Sequence, residues 1–299
     1  MTSAWPNLSD LLQPADVDAP IGLIGAPLGA GSVTPGRCDL APAALRAVLK
    51  RIGRYDLDSR RELSTGIADH GDVALNGLDI EAATAPIRAA VRASVERHAL
   101  TLLIGGNNAV TRPGVLGMAD ALGLGLEEVG LVTLDAHFDM RGLEQGLSNG
   151  NPVRALRGDG LPGANIVQIG LAAYANSRTM HEDALAGGHM VVSVRDLLLR
   201  GTVEVLEEAM ERLAGCKAIF LDCDIDVIDR SQFPGAPGAR PGGMLAEEFF
   251  AAAQWLAGQP KVRAIDLTEW DPPLDTTDLS ALTAGRWLAE VLTGFESRA

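Results

Sequence analysis

Acidic and imidazole side chains crowd one stretch of the chain, Leu131 to Arg141, LVTLDAHFDMR. It opens as an apolar, β-type run and closes with Asp135, His137 and Asp139. Alternate side chains of an extended strand share one side, so these three are expected to project together from a strand end. Two carboxylates and an imidazole form a ligand set for a divalent ion, because hard ions favour oxygen and nitrogen donors. A second stretch repeats the pattern: an apolar run from Ala218 to Leu221 enters DCDIDVID, where Asp222, Asp224 and Asp226 alternate. A solvated acidic turn explains one such stretch well and two of them poorly.

The elements that must position these residues follow from hydrophobic patterning. Short apolar runs that read as buried strands lie at Ile21–Gly25, Leu100–Ile104, Gly130–Leu134, Ile166–Leu171, Met190–Val194, Ala218–Leu221 and Val262–Leu267. Amphipathic helices are expected between them. One opens at Pro42, one is capped by Asp79 and runs from about Ile80 to His98, and the last spans about Ser280 to Leu292. Such alternation predicts an α/β fold of three layers, α/β/α, with a doubly wound, mostly parallel sheet in a single domain over residues 1–299. Ligands of these folds collect at the carboxyl ends of strands. The Gly105–Asn108 turn, Asp135–Asp139, Asp224–Asp226 and Glu269 each follow a strand, so they are expected to meet in one crevice.

Composition narrows the function classes. The 299 residues are 47% hydrophobic, which allows a large core, and the net charge is −14 with no basic patch for nucleic acid. Cys38, Cys216 and Cys223 lack CxxC spacing, which argues against a disulfide framework or zinc knuckle and suits a reducing, cytoplasmic setting. The first twenty residues lack a signal-peptide pattern, and no apolar run is long enough for a membrane span. The Gly-rich loop Ala26–Ser32 lacks phosphate-loop spacing, so a nucleotide-binding reading finds little support.

Taken together, IGGNNA, LDAHFDMR, DCDIDVIDR with its PGG-containing loop, and LTEWDPPLD make the chain resemble the ureohydrolases: arginases, agmatinases and formimidoylglutamases. The resemblance runs over nearly the whole chain and implies the arginase-like fold. It also implies two divalent ions, Mn(2+) foremost, held by Asp135, His137, Asp139, Asp224, Asp226 and the residue at position 108. In this scheme Asp135 and Asp224 bridge the ions, His137 and Asp226 complete one site, and Asp139 and Asn108 complete the other. The implied reaction is hydrolysis of an amidine or guanidine C–N bond by a metal-bound hydroxide, whose pKa falls from ~15.7 toward ~7 on coordination. Glu269 matches the carboxylate that holds the cationic group of the substrate. A homo-oligomer, trimer or hexamer, is also implied.

Two departures stand out. The family's GGDH is Gly105-Gly106-Asn107-Asn108 here, which should leave one metal site weakened, altered or empty. The family's SHGTPF-type histidine aligns with Asn149, which cannot shuttle a proton as a histidine does, although the formimidoylglutamase branch often lacks it as well. Asn149 is retained as a catalytic and substrate-contact candidate. Arg141, two residues past Asp139, favours the same branch, where an arginine suits a substrate carboxylate. Arg154 and Arg178 are further substrate-binding candidates. The expectation is therefore a hydrolase of a carboxylate-bearing amidine or guanidino compound. The alternative is a weakened or inactive homologue with a regulatory or partner-subunit role.

Overall fold

The structure, a computed structural model, describes residues 5–298. Among the described residues nine strands form one sheet: β1 (Leu12–Pro14), β2 (Ile21–Ala26), β5 (Ile67–Asp72), β6 (Leu100–Gly105), β7 (Val129–Leu134), β8 (Ile166–Leu171), β9 (Met190–Ser193), β10 (Ala218–Asp224) and β11 (Val262–Thr268). The order is β1-β5-β2-β6-β11-β10-β7-β8-β9, and every ladder in this sheet is parallel. A separate two-stranded hairpin, β3 (Tyr55–Asp56) with β4 (Arg61–Glu62), is antiparallel.

Helices cover both faces. Along a strand, alternate side chains feed opposite layers. Leu102, Leu221 and Leu267 join one apolar cluster, packed with α1 (Ala41–Val48), α7 (Thr202–Arg212), α8 (Ala246–Ala257) and α9 (Leu279–Glu296). Leu103, Leu131 and Phe220 join the other, packed with α2 (Ile80–Val95), α3 (Thr111–Leu122), α4 (Pro152–Asp159) and α5 (Arg178–Ala186). The central strands are buried on both sides, which is why β2, β6, β7 and β8 carry no polar-out alternation. Each Leu, Ile or Val fully buried there contributes roughly 1.5–3 kcal/mol relative to exposure. The expected three-layer, doubly wound architecture is what the chain adopts.

Several local expectations shift. Asp79 caps α2 as predicted, its Oδ1 accepting the Ala82 N–H at 2.8 Å. The helix ends at Val95, however, so His98 is not part of its last turn. His98 is instead buried, with Nδ1 2.7 Å from the Ala19 carbonyl and Nε2 2.9 Å from His70 Nε2. Because a carbonyl only accepts, Nδ1 of His98 carries the proton and His70 donates to His98. A short helix unanticipated from sequence, α6 (Val194–Arg200), follows β9 directly. No helix among the described residues is long and apolar enough to cross a membrane.

Candidate metal centre

Four neighbouring strands, β6, β11, β10 and β7, supply the site from their carboxyl ends. The chain leaves β6 and returns three positions away at β7, and β10 and β11 later fill the two places between. This is a switch point of strand order, where parallel sheets open a crevice. The four polar clusters expected to converge do so here.

Their convergence does not come from strand alternation alone. β7 stops at Leu134. Beyond it the Asp135 carboxylate accepts the His137 N–H at 2.6 Å, and Asp139 takes a left-handed φ of 52°. Asp224 likewise accepts the Asp226 N–H at 3.0 Å, and Asp226 lies in a 3-10 turn, Ile225–Val227. In both motifs a carboxylate bonded two residues ahead folds the chain back, the usual habit of aspartate in turns. Glu269, just after β11, also has a left-handed φ, 60°. Two non-glycine residues in this sparsely populated region at one crevice hold backbone strain that the surrounding structure must maintain. Part of that hold is the Glu269 N–H donating to the Gly106 carbonyl at 2.9 Å. Gly106 in turn lies so close to Leu28 that a Cβ would sit 2.0 Å from the Leu28 carbonyl oxygen.

The donor set fits divalent cations. Ligand atoms of Asp135, His137 and Asp226 lie within 4.8 Å of one another, and so do those of Asp135, Asp139 and Asp224. Asp135 Oδ2 and Asp226 Oδ1 are buried without a hydrogen-bond partner among the described residues. Buried carboxylate oxygens left bare are costly unless a cation meets them. The local field agrees. Asp226 beside it pushes His137 up to about 12. Burial pushes Asp135 up to about 6 and Glu269 up to about 7. Burial, reinforced by Asp135, holds Asp139 well above the usual carboxylate range; burial with Asp226 and Asp135 does the same to Asp224. A divalent ion would reverse this crowding and displace protons as it bound.

Asn108 differs from its expected role. Its Nδ2 donates to Asp139 Oδ2 at 2.6 Å, while its Oδ1 accepts from the Thr111 and Thr268 hydroxyls at 2.7 and 2.9 Å. The amide oxygen, the only atom that could ligate, is thus taken up by two hydroxyls. Asn108 presents a donor to a neighbouring carboxylate and no lone pair to an ion. Thr111 also lies 2.8 Å from Asp266 Oδ2. A hydroxyl has a single proton, so when Thr111 gives it to Asn108, Asp266 must supply its own. Burial raises Asp266 to about 7, while hydrogen bonds from Asp222 and Thr111 pull it the other way.

Asn149 is likewise fully engaged. Its Nδ2 donates to Glu269 Oε1 at 2.9 Å, and its Oδ1 accepts the Val33 N–H at 2.8 Å. The same Glu269 oxygen accepts the Asn108 N–H at 2.7 Å. Asn149 therefore orients Glu269. A cavity of about 270 Å³ opens over these groups, and Arg141 and Asn149 line it. Arg154 and Arg178 are not brought to it. Arg154 bonds Asp183 at 2.7 Å and the Met140 carbonyl at 2.9 Å, and Arg178 begins α5 on the exposed surface. Cys223 lies between Asp222 and Asp224 on the strand and so faces away from the ligands into the core.

Sequence reasoning overlooked three participants. Asn176 accepts the Phe138 N–H at 3.0 Å and donates to the Ala136 carbonyl at 2.8 Å, clamping the turn that carries His137. Thr268 fixes Asn108. Arg240 lines the cavity from the loop after β10. Asn176 sits two residues before Arg178 in the loop after β8, where no hydrophobic period marks it.

Comparison with known proteins agrees with this architecture. The arginase family model matches residues 19–294. The chain is 30% identical to a formimidoylglutamase of Halalkalibacterium halodurans over 279 residues, covering 91% of this chain and 86% of that protein. It is 28% identical to a guanidinobutyrase of Pseudomonas aeruginosa over 292 residues, covering 96% and 90%. The fold is similar to the crystal structure of formimidoylglutamase from Bacillus subtilis, with a TM-score of 0.93 and 26% identity over 100% of this chain and 94% of that one. It is also similar to Trypanosoma cruzi formiminoglutamase crystallised with Mn2+, with a TM-score of 0.89 and 25% identity over 99% and 100%.

Proposed function

Because the chain belongs to the arginase family, we propose that it is a metal-dependent hydrolase of linear amidine or guanidino compounds bearing a carboxylate. Formimidoylglutamate is the leading substrate and guanidino acids come next. The observation that carries this reading is the meeting of Asp135, His137, Asp139, Asp224 and Asp226 in one crevice beneath Arg141. Names among the relatives, formimidoylglutamase and guanidinobutyrase, support the reaction class.

Asp135, His137 and Asp226 would hold one ion, and Asp139 and Asp224, with Asp135 shared, a second. Bound there, a divalent ion supplies Lewis-acid activation of water and offsets the buried negative charge. The chain's own groups do the rest. Glu269 is held through Oε1 by two donors, which leaves Oε2 to accept an N–H of the cationic amidine. That contact would orient the trigonal carbon and stabilise positive charge as the C–N bond breaks. Asn149 keeps Glu269 in place, and Arg141 would pair with a substrate carboxylate in a bidentate fork.

Turnover by Mn(2+)-loaded protein on a panel of formimidoyl and guanidino acids, read as formamide or urea release, tests the reading. Absence of both products across the panel would sink it. One observation favours a second reading, a weakened homologue with a regulatory or partner-subunit role: Asn108 offers no ligand atom to the Asp139 side. A single ion per chain by elemental analysis, together with no turnover, would favour that reading.

A further inference from the structure

The cavity is lined by two arginines, Arg141 and Arg240, which reach it from different loops, those after β7 and β10. Arg141 is anchored by its backbone N–H to the Gly150 carbonyl at 3.0 Å, next to Asn149 and hence on the Glu269 side. Arg240 is anchored through Nη1, which donates to the carbonyls of Gly238 at 2.7 Å and Ala239 at 3.2 Å. Gly238 packs on the other flank, where a Cβ would lie 1.9 Å from Asp226 Oδ2 and 3.1 Å from His137 Cε1.

Neither guanidinium has a carboxylate partner among the described residues. Arg154 nearby shows the contrast, being paired with Asp183. With Nη1 of Arg240 fixed to its own loop, Nε and Nη2 stay open in a pre-set plane. Such a fork takes a carboxylate through two parallel N–H bonds at small entropic cost. The floor of the cavity is acidic, so a substrate anion needs positive charge at the rim to enter. One guanidinium serves one carboxylate. Two uncommitted guanidinium groups on separate flanks match two carboxylates.

We propose that Arg240 is a specificity-determining residue that binds a second substrate carboxylate, the first being bound by Arg141, and so separates dicarboxylate from monocarboxylate amidines. The inference rests on the hydrolase reading above and adds to it the residue that reads a second substrate carboxylate.

The test uses the Mn(2+)-loaded full chain and three amidines: N-formimidoyl-L-glutamate, and its monocarboxylate analogues N-formimidoyl-γ-aminobutyrate and N-formimidoyl-L-norvaline. In Arg240→Gln, KM for the dicarboxylate should rise about tenfold, kcat should stay within about twofold, and one monocarboxylate should keep its KM. Arg240→Lys should recover part of the loss, as a point charge without the fork. An unchanged dicarboxylate KM, or an equal rise for all three amidines, would overturn the inference. If the wild type hydrolyses none of them and no guanidino acid either, it is the hydrolase reading that fails. Calorimetric binding of glutarate against butyrate then decides the present inference. Glutarate should bind more tightly in the wild type, and Arg240→Gln should abolish the difference. Equal binding, or no binding, of the two acids by the wild type overturns it.

Discussion

At position 108 an amide stands among buried carboxylates, and its orientation decides what those carboxylates can do. With Oδ1 held by Thr111 and Thr268, the Asn108 NH2 group must face Asp139. Asp139 is thereby steadied by a neutral donor, with its other oxygen left for an ion. The same economy governs Glu269, whose Oε1 is fixed from two sides. Removing the Asn149 donor should loosen Glu269 without touching any ligand. In Asn149→Ala, kcat/KM should therefore fall roughly 10- to 100-fold while metal content by elemental analysis stays that of the wild type. Loss of metal in this variant would show that Asn149 acts on the ligands and not on Glu269. Asp135→Ala should do the reverse and deplete the ion, because Asp135 belongs to both ligand groups.

The loops after the strands carry the chemistry, and they were legible from sequence to unequal degrees. DAH-x-D and D-x-D announce themselves by residue type, and Glu269 by its place after an apolar run. Strand alternation correctly suggested convergence, yet the geometry comes from aspartates bonded two residues ahead and from left-handed backbone at Asp139 and Glu269. Neither leaves a signature in hydrophobic period. Asn176, Thr268 and Arg240 escaped notice because their roles depend on which loops the fold brings side by side. Helix α6 escaped because it starts directly after β9, with Ser193 as its cap and no intervening turn signal. The loop from Phe233 to Gly243 shows how tightly such segments are fitted. Gly238→Ala would place a methyl group against Asp226 Oδ2. The variant should bind Mn(2+) more weakly, by about tenfold or more in calorimetry, because a displaced carboxylate ligates poorly. Unchanged affinity would mean the loop yields instead.

Across the molecule, the crowded carboxyls link stability to pH. Asp135, Asp266 and Glu269 have ordinary values of 3.8, 3.8 and 4.5, and burial raises them to about 6, 7 and 7 in the fold. Groups raised in this way stabilise the fold fully below their ordinary values. That contribution is lost as pH climbs through the folded values, because the unfolded chain gives up its protons first. A bound cation removes the penalty by keeping Asp135 and Glu269 ionised in the fold. The difference in melting temperature between Mn(2+)-loaded and chelator-treated protein should therefore widen from about pH 5 to about pH 7.5. A constant difference would mean the carboxyls are not the linked groups. The homo-oligomer implied by family resemblance predicts a light-scattering mass of three or six times 31.3 kDa, and a single-chain mass would exclude it. The strand order also bears on how the protein is made. β6 and β7 leave the ribosome early, but the strands that lie between them, β10 and β11, are encoded near the end. Until those arrive, the growing chain has two unpaired inner edges open to wrong partners. Asp224 and Glu269 are also still missing, so metal capture belongs to the closing stage of synthesis, and a prematurely terminated product would be left with exposed edges and no centre to stabilise it.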